Sequence, residues 1–278
     1  MKNFNELTLT DDFMFSKVMR KKDICKEFLE LILDKKIEKI EYIEAEKTLN
    51  IDYDKRGVRL DVYLQDETTV YNIEMQTSNF ANIPKRSRFY QSVMDVSSLD
   101  KAQNFDDLKE SYVIFVCTKD LFGYNEPIYE FVTYDKKHDI IYGDEVHKVI
   151  VNTNAEISNE TKLGKFINYL KTNVVSDDFT SSIDDTINEI KLDSEMRGEY
   201  MVLEAKMMDA RREGHEEGRE EGLEEGLELG RAEGFIMAYV NQIRAITERE
   251  GVSIDEAMMK LYIPEEYWDK IKKGLLNE

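Results

Sequence analysis

The sequence predicts an α/β protein: a mixed sheet with helices on its faces, followed by a helical C-terminal region. Three observations carry this. Between Arg59 and Gln76, apolar and polar residues alternate on both sides of a short polar turn, the period of half-buried strands in a hairpin. Tyr112–Thr118 is a short continuous apolar run, suited to a fully buried strand. From about residue 160 onward the apolar spacing becomes helical and stays so.

The elements follow in order. Residues 11–34 read as a helix that Thr10 or Asp11 can cap, with apolar residues recurring through Phe13, Val18, Phe28, Leu29 and Ile32. Residues 37–49 read as a first strand, with Ile37, Ile40, Tyr42 and Ile43 among charges. In the hairpin 58–76, Val58, Leu60, Val62 and Leu64 share one face and Arg59, Asp61 and Tyr63 the other. Tyr71, Ile73 and Met75 are expected inside, leaving Asn72, Glu74 and Gln76 outside the core. Pro84 opens a helix that reaches about Leu99, and shorter strands lie at 128–134 and 146–152. That order of elements suits a mixed sheet flanked by helices. The expected domains are a core over 1–155, a helical extension over 156–211, a glycine repeat over 212–235 and a small helical unit over 236–278.

Composition limits the function. A net charge of −20 argues against a protein that coats nucleic acid, because such proteins neutralise phosphates with lysine and arginine. Any contact with nucleic acid must be local. The best candidate is the island Pro84–Gln91, which offers Lys85, Arg86, Arg88, Tyr90 and Gln91. No apolar run approaches the ~18 residues of a membrane span, and no signal-peptide pattern opens the chain. Cys25 and Cys117 make no disulfide framework, and His138, His147 and His215 lack zinc spacing. A cytoplasmic location is the expectation.

Glycine recurs at 214, 218, 222, 226, 230 and 234 with glutamates between. On a helix, residues four apart form one ridge. Six interior glycines cost roughly 5 kcal/mol relative to alanine, and Glu216, Glu220, Glu224 and Glu228 add i,i+4 repulsion. The repeat therefore reads either as a charged linker or as a helix held by packing on that ridge, with a homo-oligomer through Gly214–Gly234 the favoured partner. The last forty residues regain a core pattern that includes Trp268.

Chemistry concentrates in the hairpin. If the turn centres on Glu67-Thr68, Asp61 faces Glu74 and Arg59 faces Gln76. Like charges opposed across strands are destabilising, and a divalent cation would remove the cost. Two carboxylates are hard oxygen ligands suited to Mg²⁺, with Mn²⁺ as an alternative, and the Met75 carbonyl can add a third oxygen. Gln76 can hydrogen-bond a water but cannot take its proton. Arg59 could supply the positive charge a phosphodiester reaction needs. Asp12 is a further possible ligand; Glu44 and Glu46 are weaker ones.

Asp61, followed thirteen residues on by Glu74-x-Gln76, resembles the PD-(D/E)xK nuclease signature in a variant with glutamine for lysine. Thr10-Asp-Asp-Phe-Met-Phe15, Arg59-Leu-Asp-Val62, Tyr71-Asn-Ile-Glu-Met-Gln76, Arg86-Ser-Arg-Phe-Tyr-Gln-Ser92 and the Glu-rich glycine tail are similar to the Rpn family of recombination-promoting nucleases. The resemblance implies a restriction-endonuclease-like α/β/α core and Mg²⁺-dependent DNA endonuclease activity linked to recombination or mobile DNA. It makes Asp61 and Glu74 metal ligands, puts Gln76 in the lysine's place, and brings Lys85, Arg86, Arg88, Tyr90 and Gln91 toward substrate or metal. The competing expectation is a weakly catalytic binding module that oligomerises through the repeat. An RNA substrate also stays open.

Overall fold

The computed structural model describes residues 2–49, 58–78, 80–99 and 102–276, and within these not the side chains of 42–49, 58 and 59. It divides into two compact units, Met1–Met201 and Val202–Glu278.

The first unit is an α/β/α sandwich. Its helices are α1 (Asp12–Val18), α2 (Lys22–Leu33), α3 (Ile83–Ser98), α4 (Lys162–Thr172) and α5 (Asp178–Leu192). Its strands are β1 (Tyr42–Leu49), β2 (Val58–Gln65), β3 (Thr69–Gln76), β4 (Glu110–Cys117), β5 (Ile128–Phe131), β6 (Tyr134–Asp135), β7 (Ile140–Ile141) and β8 (Val146–Asn152). The six-stranded sheet has the order β1-β2-β3-β4-β8-β5, and β6 and β7 form a separate ribbon. Strands β1 to β3 are antiparallel, β3, β4 and β8 run parallel, and β5 returns antiparallel along β8. The mixed sheet read from the sequence is the one observed.

The expected single helix over 11–34 is two. At the end of α1 the chain tightens, with Arg20 N–H donating to the Lys17 carbonyl and Lys21 N–H to that of Val18. The turn lets α1 pack on β1, β2 and β3 while α2 packs on α4 and α5. Rings tie these helices together: Phe15 meets Phe28, Phe28 meets Phe166, and Phe166 meets Phe179, at centroid separations of 6.5, 5.6 and 5.6 Å. Helices α4 and α5 are thus part of the sandwich, beyond the expected core boundary at 155. Gly164, in the first turn of α4, is obligatory there, because a Cβ would lie 1.9 Å from the Ser158 carbonyl oxygen.

The second correction concerns β3. Every one of its residues is buried, including Asn72, Glu74 and Gln76, which had been expected outside the core. Alternation marks one face as apolar, but it does not reveal that the polar face is covered. Here β3 lies between β2 and β4, and α3 covers the polar face, with Tyr90 stacked on Phe115 at 5.9 Å. Both cysteines are buried, and burial pushes their thiols up to about 12, which leaves them unreactive near neutrality.

Helix α6 (Ser194–Glu250) begins in the first unit, where Tyr200 packs on Phe4 and Phe13 and Glu199 pairs with Lys17. The glycine repeat is helical throughout. Among the described residues nothing lies within 4 Å of a Cβ built at any of its six glycines, so the ridge is bare there. The second unit closes on α7 (Ile254–Lys260) and α8 (Trp268–Leu276), whose core comprises Val240, Ile243, Ala257, Met258, Ile263 and Ile271. Trp268 packs against this cluster and donates its ring N–H to the Ile263 carbonyl at 2.9 Å. Among the described residues no helix is long and apolar enough to cross a membrane.

Candidate active site

The β2–β3 register is the expected one, with Val62 opposite Ile73 and Gln65 opposite Val70. One step beyond Val62↔Ile73, side chains take over the strand-to-strand bonding. The Asp61 N–H donates to Glu74 Oε1 at 3.1 Å, and the Met75 N–H donates to Asp61 Oδ2 at 3.1 Å. Each carboxylate is therefore anchored on the other's strand, which fixes their separation through the backbone.

Glu74 is only 3% exposed. Its Oε1 also accepts from Asn72 Nδ2 at 3.1 Å, and its Oε2 lies 3.6 Å from an Arg86 Nη2. Burial first, and the neighbouring Asp61 charge second, hold this carboxyl well above the usual glutamate range. The hydrogen bonds from Asp61 and Asn72 and the Arg86 charge act in the opposite direction. Asn72, fully buried two residues before Glu74, is placed by the sequence on Glu74's face but given no role at the site. The period of two that puts both on one strand face was the available signal.

Helix α3 carries the basic island, and Pro84 sits in its first turn where a missing N–H costs nothing. Its residues separate by burial. Lys85 and Arg88 are exposed, whereas Arg86 turns inward. The Arg86 Nη1 donates to Gln76 Oε1 at 2.5 Å and its Nη2 to the Tyr90 hydroxyl at 3.0 Å. Burial and then the Glu74 charge hold the Tyr90 phenol above its ordinary range. Gln91, expected on the DNA-facing side, is buried instead: it donates to Ser111 Oγ at 2.6 Å and to Asp95 at 2.9 Å. It braces α3 on β4 and does not face solvent.

Gln76 is 8% exposed, and its Nε2 donates to the Ser78 carbonyl. Both ends of its amide are thus engaged by protein. Asp12 opens α1 and is exposed; partial desolvation and then Asp11 raise its carboxyl, with Arg86 opposing, which puts the start of α1 within electrostatic reach of the site. The side chains of Arg59, Glu44 and Glu46 lie outside the described residues. Among the described residues no cluster of three or more His, Cys, Asp or Glu side chains could hold a metal.

The donor set nonetheless fits a hard divalent cation. Two carboxylates are held together by the backbone, one of them buried and poorly disposed to carry its charge, and a double positive charge would relieve both costs. A family model for PD-(D/E)XK nuclease family transposases matches residues 10–182.

The chain belongs to that family.

The match runs from just before α1 into α5, so it covers the sheet, both carboxylates and the helices on both faces. Asp61, Glu74 and Gln76 all lie within the matched residues. No curated protein and no solved structure matches the chain.

Proposed function

We propose that this protein is a Mg²⁺-dependent DNA endonuclease acting in recombination or on mobile DNA. The observation that supports it best is the Asp61–Glu74 pair, cross-anchored between β2 and β3 in a chain of the PD-(D/E)XK nuclease family. Asp61 and Glu74 would hold the ion, with the Met75 carbonyl as a third oxygen and Asp12 as a possible outer ligand. When bound, the ion supplies polarisation of the phosphodiester and acidification of a water. The chain's own part is to fix the two carboxylates and to exclude solvent from Glu74. Lys85 and Arg88, exposed on α3, would meet backbone phosphates beside the site, and this contact would weaken with salt.

Supercoiled plasmid incubated with Mg²⁺ or Mn²⁺ tests the reading. The parent should nick it, while Asp61→Ala and Glu74→Ala should each lower the rate by roughly 100- to 1,000-fold, the scale of losing electrostatic stabilisation at the scissile group. Nicking that persists in both variants would remove the site assignment.

The bare ridge supports self-association through Gly214–Gly234, since small residues allow close approach of a second helix and, among the described residues, nothing lies within 4 Å of a Cβ built there. Gly218→Leu with Gly222→Leu should lower the mass seen by light scattering; an unchanged oligomer would exclude the ridge as the contact.

A further inference from the structure

The signature's lysine position holds Gln76, and the geometry around it points to a different owner of the missing charge. The Gln76 amide is tied at both ends, its Nε2 to the Ser78 carbonyl and its Oε1 to Arg86 at 2.5 Å. An amide neither carries charge nor takes a proton from water. What it does here is hold a guanidinium. That group lies over the rings of Tyr90 and Phe115, 5.5 and 5.2 Å from their centroids, and bonds the Tyr90 hydroxyl at 3.0 Å. From this cradle it reaches to 3.6 Å from Glu74 Oε2.

We propose that Arg86, on α3, supplies the positive charge at the reacting phosphate that the strand does not, and that Gln76 is a positioning residue for it. The proposal rests on the reading of Asp61 and Glu74 as the metal site. An arginine suits the role because its charge is permanent and its planar fork can serve Gln76, Tyr90 and a phosphate oxygen from one group. It also confines the role to electrostatics, since a guanidinium stays protonated at neutral pH and cannot act as a base. The alternative is that Arg86 only neutralises Glu74 in the absence of metal, and the two roles separate experimentally.

The test measures nicking at saturating Mn²⁺ and Mn²⁺ affinity by calorimetry for the parent, Arg86→Ala, Arg86→Lys, and Arg86→Ala combined with Gln76→Lys. Arg86→Ala should lose roughly 100-fold in rate while binding Mn²⁺ at least as tightly, because a competing cation has gone. Arg86→Lys, which keeps the charge but loses the fork, should fall between it and the parent. Gln76→Lys in the Arg86→Ala background should recover about tenfold or more, since the charge returns from the strand. Arg86→Ala that nicks as fast as the parent, or a double variant no faster than Arg86→Ala, overturns the proposal and leaves the metal site standing. A parent that binds no Mn²⁺ overturns the metal site and this proposal with it. A rate loss in Arg86→Ala accompanied by an equal loss of Mn²⁺ affinity also overturns it, because the role is then structural.

Discussion

Glu74→Gln should raise the melting temperature of the metal-free protein at alkaline pH and abolish its stabilisation by Mg²⁺. The substitution keeps the size and the Oε1 acceptor that meets the Asp61 N–H and Asn72, but removes a charge that burial and Asp61 both oppose. The sign follows from proton linkage. The folded protein binds the Glu74 proton more tightly than the unfolded chain, whose glutamates titrate near 4.5. Stability from this group is therefore fully present below pH 4.5 and is lost as pH rises from there through the raised value in the fold. The melting temperature of the metal-free parent should include this alkaline decline, and that of E74Q should lack it. At the alkaline end the variant should be ahead by roughly 1–3 kcal/mol, the worth of one or two pKa units, or several degrees in a protein of this size. Mg²⁺ at about 100 times its Kd adds about 2.7 kcal/mol to a site that binds it, so the parent should gain and the variant should not. Differential scanning fluorimetry from pH 5 to 9, with and without Mg²⁺, reads both. An E74Q protein that melts below the metal-free parent at pH 9, or that Mg²⁺ stabilises as much, would mean the charge is not under strain or is not a ligand.

That strain marks the limit of what the sequence reveals. The Asp61–Glu74 opposition was legible because a two-residue period and a short turn fix register, and β2 and β3 adopt the expected pairing. Burial of Glu74 was not legible. It depends on α3 covering the polar face of β3, and Asn72, Glu74 and Gln76 look in sequence like residues facing water. Arg86 shows the same limit from the other side. Its place in a basic island suggests an outward, phosphate-binding cation, as Lys85 and Arg88 are placed, but a step of about 100° around the helix from Lys85 directs it inward to Gln76. The break between α1 and α2 also left no mark, because the apolar spacing continues across a turn made by two backbone hydrogen bonds. The glycine repeat reads in sequence either as a charged linker or as a helix held by packing on its ridge; it is a continuous helix, and among the described residues nothing lies on that ridge.

A chain ended at residue 155 should not fold, although it would retain every described strand together with Asp61, Glu74 and Gln76. Ending there removes α4 and α5, which pack on α2 and on α1 with α2. The buried side chains lost include Phe166, Tyr169, Phe179, Ile183 and Ile187, and Phe28 would lose its ring contact with Phe166. Fully burying each such side chain contributes about 1.5–3 kcal/mol, so the loss of these alone is comparable to the 5–15 kcal/mol that separates folded from unfolded states. A chain ended at Met201 keeps these helices and the first turns of α6 with Tyr200 and Glu199, and should give a cooperative melt. Phe166→Ala in the full chain measures the same dependence at one position: a fully buried ring between Phe28 and Phe179 should cost about 3–5 kcal/mol, lowering the melting temperature by roughly 10 °C. Circular dichroism melts of the three proteins decide it. A folded 1–155 chain, or a Phe166→Ala shift of a degree or two, would show that the sheet and α1–α3 form a self-sufficient core and that the two later helices merely decorate it. The positioning of Glu74 would then owe nothing to residues beyond 155, and the site could be transplanted with the shorter chain.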